Sequence, residues 1–248
     1  MTRPGRLALV GSGEYLPVLT DVEDWLFADR ERRYVQLATA AAPEGEKSLR
    51  YWHDLGAKAA ARLDAEQVVV DVRARDDAFE QRWVEAIAGA GLIYLSGGSP
   101  TFLADTLRDT PVWGAIVEAW RNGAGLAGCS AGAMAMGGYV PNYRHPRSGG
   151  TEGLSIVPGV RVLPHFDRYT KWMPDFALRP LVTDGATVLG IDEDTALVAQ
   201  APDVPSAPWT FTPRGRQYSC EVTRGGTIRI DSIDLTVAAA DNEAQPTT

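Results

Sequence analysis

The chain has 248 residues, 45% of them apolar and 23% charged. That is ordinary globular composition, with length enough for a large core, so wholesale disorder and dependence on disulfide or metal staples are excluded. The formal net charge of −8 argues against nucleic acid and anionic membrane as partners, because both are themselves negative. Cys129 and Cys220 are too few for a disulfide framework or a four-cysteine zinc site. No metal or organic cofactor is expected. No run of about 18 apolar residues occurs, so no membrane helix is predicted. Met1 to Gly5 lead directly into a short apolar run that reads as a strand rather than a leader, so a cytoplasmic location is expected.

In chain order, Leu7 to Val10 is a short apolar run ending in Gly11-Ser12-Gly13. Val35 to Thr39, Val68 to Val72, Leu92 to Leu95 and Gly125 to Gly128 repeat the pattern. Such runs read as strands buried on both faces. Segments with helical spacing lie between them: Glu46 to Leu63, Asp77 to Ala88 and Pro111 to Arg121. Alternating strands and helices predict an α/β fold, doubly wound around a mostly parallel sheet, with the site at the carboxyl ends of the strands. The Gly-rich turns after Val10, Leu95 and Gly128 then share one edge.

After Gly185 the pattern changes. Thr187 to Ile191 and Ala196 to Ala199 read as strands joined by a turn at Asp192-Glu193-Asp194. Trp209 to Thr212, Tyr218 to Val222 and Thr227 to Asp231 follow, with turns at Pro213-Arg214-Gly215 and Arg224-Gly225-Gly226. This reads as an antiparallel meander. The expectation is one α/β domain over residues 1–237, with a C-terminal antiparallel β extension from about 186, and a small, polar, disordered tail from Ala238 to Thr248. No internal repeat is found.

Gly128-Cys129-Ser130-Ala131-Gly132 follows the fifth strand and opens an apparent helix. It fits G-x-S-x-G, the nucleophile elbow. A sharp strand-to-helix turn holds the central residue in a strained conformation and demands small neighbours. Ser130 then stands exposed at the sheet edge, with the N–H of Ala131 and the helix N-terminus facing developing negative charge. The other reading is a glycine-rich helix start that merely packs closely on the sheet. Cys129, beside the central position, reads as a buried thiol. Gly11-Ser12-Gly13 lacks the third glycine of a dinucleotide fingerprint, since Leu16 holds its place.

A serine nucleophile needs a base. The histidines are His53, His145 and His165. His53 sits in a polar-spaced helical stretch, and His145 in a loop between two prolines. His165 follows the run Val160 to Leu163 and Pro164, a strand-end position from which it reaches the elbow.

Gly128-Cys129-Ser130-Ala131-Gly132-Ala133, then Pro164-His165-Phe166, then Gly190-Ile191-Asp192-Glu193-Asp194-Thr195-Ala196, in that order, resembles the serine peptidase family of peptidase E (aspartyl dipeptidase) and cyanophycinase. Leu95-Ser96-Gly97-Gly98 is similar to that family's glycine pair after a strand, and Gly11-Ser12-Gly13-Glu14 to its first loop. The resemblance covers roughly residues 7 to 200 and implies a class I glutamine amidotransferase-like, flavodoxin-like fold. It implies Ser130 as nucleophile, His165 as general base, Gly98 and Ala131 as oxyanion-hole donors, and Glu193 as the acid that orients His165. Two other carboxylates stay open for that last role. Asp167, two residues after His165, either serves as the acid or pairs with Arg168 at the surface. Glu152 is the third choice.

Substrate is less constrained. Ser99-Pro100 follow the glycine pair, where the family usually carries Asn or Asp and then a polar residue. Cyanophycinase's arginine-rich run after the histidine is replaced by Phe166-Asp167-Arg168-Tyr169-Thr170-Lys171-Trp172. Ser99 and Arg168 are the candidate substrate-binding residues, with Lys171 as a further cation for a carboxylate. The family implies acidic dipeptides or β-aspartyl amides. The function expected is hydrolysis of a peptide or amide bond in a small substrate. Acyl transfer to an amine on an amidotransferase-like fold, and a catalytically silent binding protein, are the alternatives. The trailing strands offer either an edge for a homodimer or a cover for the sheet.

Overall fold

A computed structural model describes residues 3–141, 149–170, 182, 185–204, 206–216, 218–223 and 226–238; His145, Lys171 and the tail beyond Ala238 lie outside the described residues. The first half runs β1 (Leu7–Val10), α1 (Thr20–Phe27), β2 (Arg33–Leu37), α2 (Glu46–Arg62), β3 (Glu66–Val69), α3 (Gln81–Ile87), β4 (Leu92–Leu95), α4 (Pro100–Leu107), α5 (Pro111–Arg121), β5 (Gly125–Cys129) and α6 (Ala131–Ala135). The second runs β6 (Tyr139–Val140), β7 (Thr151–Glu152), β8 (Val160–Leu163), α7 (Phe166–Thr170), β9 (Thr187–Ile191), β10 (Thr195–Ala199), β11 (Trp209–Gly215), β12 (Ser219–Thr223), β13 (Gly226–Arg229) and β14 (Ile233–Leu235).

The apolar runs are apolar throughout because both faces of the sheet are covered. In β1, Leu7 and Leu9 pack into a core with Leu103 and Leu107 of α4, Ile116 and Trp120 of α5, and Met134 of α6. The alternate residues Ala8 and Val10 pack with Val22 and Leu26 of α1 and Ala59 and Ala60 of α2 on the opposite face. β4 divides in the same way, with Ile93 and Leu95 on one side and Leu92 and Tyr94 on the other. Each buried leucine or isoleucine stabilises by about 2 kcal/mol, so two such faces give the fold its main driving force.

The main sheet has the order β14-β11-β10-β1-β5-β4-β2-β3. The five strands from β1 to β3 in that order are parallel, and β10, β11 and β14 are antiparallel additions beyond β1. This is the expected α/β fold with a mostly parallel central sheet. Among the described residues, no helix is long and apolar enough to cross a membrane.

The meander reading needs correction. β9 and β10 do not pair with each other. β9 lies in a separate four-stranded sheet of order β13-β12-β9-β8, parallel to β8 and antiparallel to β12. β10 crosses to the main sheet beside β1. Residues 192 to 194 are therefore a bridge between two sheets, not a hairpin turn. The turn read at Pro213-Arg214-Gly215 is also strand, because Leu197↔Pro213 and Thr195↔Gly215 are register pairs of β10 and β11. β14 pairs only with Trp209 to Phe211. Pro213 thus lies beyond the second neighbour, where its missing N–H costs no ladder bond. Ala238, read as the start of the tail, donates its N–H to the Ile156 carbonyl at 2.8 Å.

Close packing of α6 depends on two glycines. A Cβ on Gly128 would lie 2.5 Å from the Gly132 carbonyl carbon, and one on Gly132 would lie 2.2 Å from the Leu95 carbonyl oxygen. Gly114, in the exposed middle of α5, has nothing within 4 Å of such a Cβ. In denaturant unfolding, Gly132→Ala is expected to cost about 3 kcal/mol through overpacking. Gly114→Ala is expected to add about 0.5–1 kcal/mol by removing a flexible residue from a helix interior.

A buried carboxylate adds a pH dependence. Glu23 on α1 is 1% exposed and accepts the Tyr34 hydroxyl at 2.9 Å, while its Oε2 has no hydrogen-bond partner among the described residues. Burial pushes its carboxyl from 4.5 up to about 7, against the Tyr34 hydrogen bond, which lowers it. Between those values the folded state holds a proton that the unfolded chain has released. Its stability contribution is therefore complete below pH 4.5 and declines as pH rises through about 7. Glu23→Gln stays neutral across that range, so it should remove a fall on the order of 3 kcal/mol between the two limits, read from unfolding free energies against pH.

Candidate active site

Register brings the loops together. Val10↔Cys129 and Leu95↔Gly128 are neighbouring pairs of the parallel ladder, so the residues that follow β1, β4 and β5 emerge side by side. The Ser130 N–H donates to the Val10 carbonyl at 2.9 Å. Ser130 itself adopts φ 49°, ψ −107°, left-handed backbone that a non-glycine residue tolerates only where its surroundings enforce it. The next residue opens α6. The strand–turn–helix context of the G-x-S-x-G motif is present.

His165 and Glu193 arrive from the smaller sheet. Leu163↔Gly190 is a register pair of β8 and β9, so both residues leave adjacent parallel strand ends. A Cβ on Gly190 would stand 2.6 Å from the Phe166 ring; its absence makes room for that ring beside the β9 backbone. His165 has φ 51°. Its Nε2 lies 3.2 Å from Ser130 Oγ, and its Nδ1 lies 2.8 Å from Glu193 Oε1. Glu193 Oε2 accepts from Arg168 Nε at 2.8 Å. The Glu193 N–H donates to Asp167 Oδ1 at 3.0 Å.

Of the three carboxylates open for the histidine, the structure brings Glu193 to Nδ1. Asp167 holds the Glu193 backbone instead, and does not form the surface pair with Arg168. Glu152 is exposed on β7, where its carbonyl accepts from Arg108. Arg168, expected to meet a substrate carboxylate, engages Glu193 through Nε with 72% of its side chain exposed. Ser99 is half-buried at the start of α4, its N–H donating to the Ala40 carbonyl at 2.7 Å. His53 is on α2 and its carbonyl accepts from Gln67, away from this cluster. Burial pushes the Asp192 carboxyl up, and the nearby Asp167 charge adds to that.

Gly97 and Gly98 line the serine from the β4 side. A Cβ on Gly97 would be 3.6 Å from that of Ser130. Gly98 has φ 138° and faces Ala40 so closely that a side chain would meet its carbonyl oxygen at 2.3 Å. Among the described residues, no backbone or side-chain acceptor takes the N–H of Gly98 or of Ala131. One residue of the first loop was given no role from the sequence: Glu14 is buried at 6% exposure beneath this loop. Its Oε1 accepts the Gly97 N–H at 3.1 Å, and its Oε2 accepts the Cys129 thiol at 2.9 Å. A lone carboxylate after a glycine turn looks like a solvated charge. The available hint was that Glu14 follows a fully apolar strand by only four residues.

These features coincide with relationships to known proteins. The model of peptidase family S51 matches residues 39–205, about two thirds of the chain. The chain belongs to peptidase family S51. It is 28% identical over 188 residues to a cyanophycinase of Nostoc sp., covering 69% of this chain and 59% of that protein. It is also 28% identical over 173 residues to a cyanophycinase of Geminocystis herdmanii, covering 63% and 57%. The chain thus spans less than two thirds of the length of the curated relatives it matches. Among solved structures it resembles a peptidase from an acI-B1 actinobacterium, at 39% identity and a TM-score of 0.83, covering 94% of this chain and 97% of that one. A putative peptidase E of Listeria monocytogenes shares the fold at 17% identity, with a TM-score of 0.60 over 86% of this chain and 100% of the other.

Neither thiol of this S51 chain is poised to react. Cys129 is fully buried, and burial beside the Glu14 charge pushes its thiol well up. Burial pushes Cys220 up to about 12. A chromogenic disulfide reagent at pH 8 should find no fast-reacting thiol in the native protein and two after denaturation. A fast native thiol that maps to Cys129 would contradict the burial seen beside Ser130.

Proposed function

We propose that the protein is a serine peptidase that cleaves a peptide or amide bond through an acyl-enzyme. The observation that carries this reading is the hydrogen-bonded line from Ser130 Oγ through His165 to Glu193, set on a serine with left-handed backbone. His165 Nε2 accepts the hydroxyl proton as Oγ attacks the carbonyl carbon, while Nδ1–H donates to Glu193, which fixes the tautomer and stabilises the imidazolium. The oxyanion is received by the N–H groups of Gly98 and Ala131, which no acceptor among the described residues takes. Collapse expels the amine, which takes the proton from Nε2. Water attacks the acyl-enzyme with the same base and releases the acid.

Arg168 and Asp167 support the acid in this scheme. The guanidinium engages the Glu193 oxygen that His165 does not use, and Asp167 anchors the main chain, so both restrict rotation of the carboxylate. The alignment argues against a catalytically silent binding protein. The cyanophycinase relatives and the peptidase E fold direct the first substrate trials to aspartyl dipeptides and β-aspartyl amides.

A fluorophosphonate should label Ser130, as read by peptide mapping, and fail to label Ser130→Ala. That variant should lose turnover by about 10⁵-fold or more with a near-wild-type Tm. Glu193→Gln, which removes the charge opposite the imidazolium, should lower kcat by about 10²–10⁴-fold. Retained hydrolysis in Ser130→Ala would overturn the assignment.

A further inference from the structure

Glu14 sits behind the nucleophile and touches both loops that supply the proposed oxyanion donors. Its Oε1 takes the N–H of Gly97, the residue before Gly98. Its Oε2 takes the thiol of Cys129, two residues before Ala131. Its neighbour Tyr15 hydrogen-bonds Ser96 at 2.6 Å, so residues 14 and 15 together hold residues 96 and 97. The turn that delivers Glu14 is fixed from a third side. A Cβ on Gly11 would lie 2.2 Å from the Asp192 carbonyl oxygen, and one on Gly13 would lie 2.6 Å from Asp194 Oδ1. The loop after β1 is thus wedged between the bridge that carries Glu193 and the two strand ends that flank Ser130.

We propose that Glu14 is a positioning residue that sets the spacing of the oxyanion hole by tying the Gly97-Gly98 loop to the Cys129-Ser130-Ala131 elbow. The proposal rests on the hydrolase reading above. A carboxylate is suited to the task because its two oxygens accept in divergent directions, one toward each loop. Both partners are neutral donors, and the carboxylate is buried, so the geometry is held without competition from water. The backbone N–H of Gly97 is pinned away from the substrate, which leaves the next N–H, that of Gly98, to face it. Loss of the tie frees two loops to drift apart, and small misplacements at the reacting centre are costly.

Charge and reach can be separated by substitution. Glu14→Gln keeps the length and one acceptor, which can still meet the Gly97 N–H while the amide group turns to the Cys129 sulfur. Glu14→Asp keeps the charge and withdraws both oxygens by one methylene. The first-order fluorophosphonylation rate and the probe's initial binding constant are measured for each variant. Amide hydrogen exchange of the peptide covering residues 96 to 100 is measured alongside. Glu14→Asp should slow phosphonylation by about 30-fold with initial binding within about twofold, and should speed exchange of that peptide by about tenfold or more. Glu14→Gln should stay within about threefold of the wild type in both readings.

The converse pattern, with Asp preserved and Gln impaired, would overturn the proposal in favour of a charge effect. Wild-type exchange and labelling in Glu14→Asp would overturn it outright. If Glu14→Asp does not fold, Cys129→Ala, which removes one of the two donors to Glu14, takes its place: slowed phosphonylation with faster exchange supports the tie, and wild-type values in both overturn it. A wild-type protein that is not labelled at Ser130 refutes the hydrolase reading and the catalytic part of this one together. The exchange data then still report whether Glu14 holds the loop.

Discussion

Where α6 leaves β5, main chain packs directly on main chain. Gly128 faces Gly132, and Gly132 faces the Leu95 carbonyl. No larger residue fits at either place, since a single methyl group would need to lie 2.2 to 2.5 Å from backbone atoms. That proximity seats α6 against β4 and β5 together, points its first N–H groups at the sheet edge, and leaves Ser130 the left-handed turn between them. The rest of the site is arranged around this contact. Gly97 and Gly98 stay small because Ser130, Glu14 and the Ala40 carbonyl crowd them. Cys129 points the other way, into the core beneath α1 and α2.

The acids around His165 form a second constraint. Asp167, Asp192, Glu193 and Asp194 would repel one another in a loose loop. Each is instead given its own donor or neighbour. Arg168 and His165 take Glu193, the Glu193 N–H takes Asp167, the Tyr218 N–H reaches Asp192 at 3.4 Å, and Asp194 lies against Gly13. The arrangement exists because residues 192 to 194 cross from the small sheet to the main one. A hairpin turn would have sent these carboxylates to solvent. As a bridge, the segment is pulled between β9 and β10 and brought over the carboxyl ends of both sheets.

The parallel half of the fold was legible because its strands are buried on both faces. Leu7 to Val10 and Leu92 to Leu95 stand out as uninterrupted apolar runs, and their boundaries match the observed strands. The elbow was legible for a similar reason, since backbone contact leaves an unmistakable run of small residues. Strand partners were not legible. β9 and β10 each carry a strand pattern, but a pattern of burial says nothing of which sheet buries it, and a short acidic link imitates a hairpin. Glu14 and the Arg168–Glu193 pair were hidden because their partners come from distant segments. The Gly97 N–H that defines the role of Glu14 lies 83 positions away.

Three of the eight non-glycine residues with positive φ among the described residues lie where these segments meet. Ser130, His165 and Asp194 all have positive φ without being glycine, a cost of roughly 1–3 kcal/mol each. The surrounding hydrogen bonds show how it is sustained. Ser130 donates its N–H to Val10 and accepts from Met134, the His165 carbonyl accepts from Arg168, and the Asp194 carbonyl accepts from Arg216. Each strained residue is therefore held by a partner that belongs to a strand, a helix, or the chain just beyond a strand. A glycine at Ser130 or His165 would relieve the backbone but delete a side chain of the hydrogen-bonded line to Glu193.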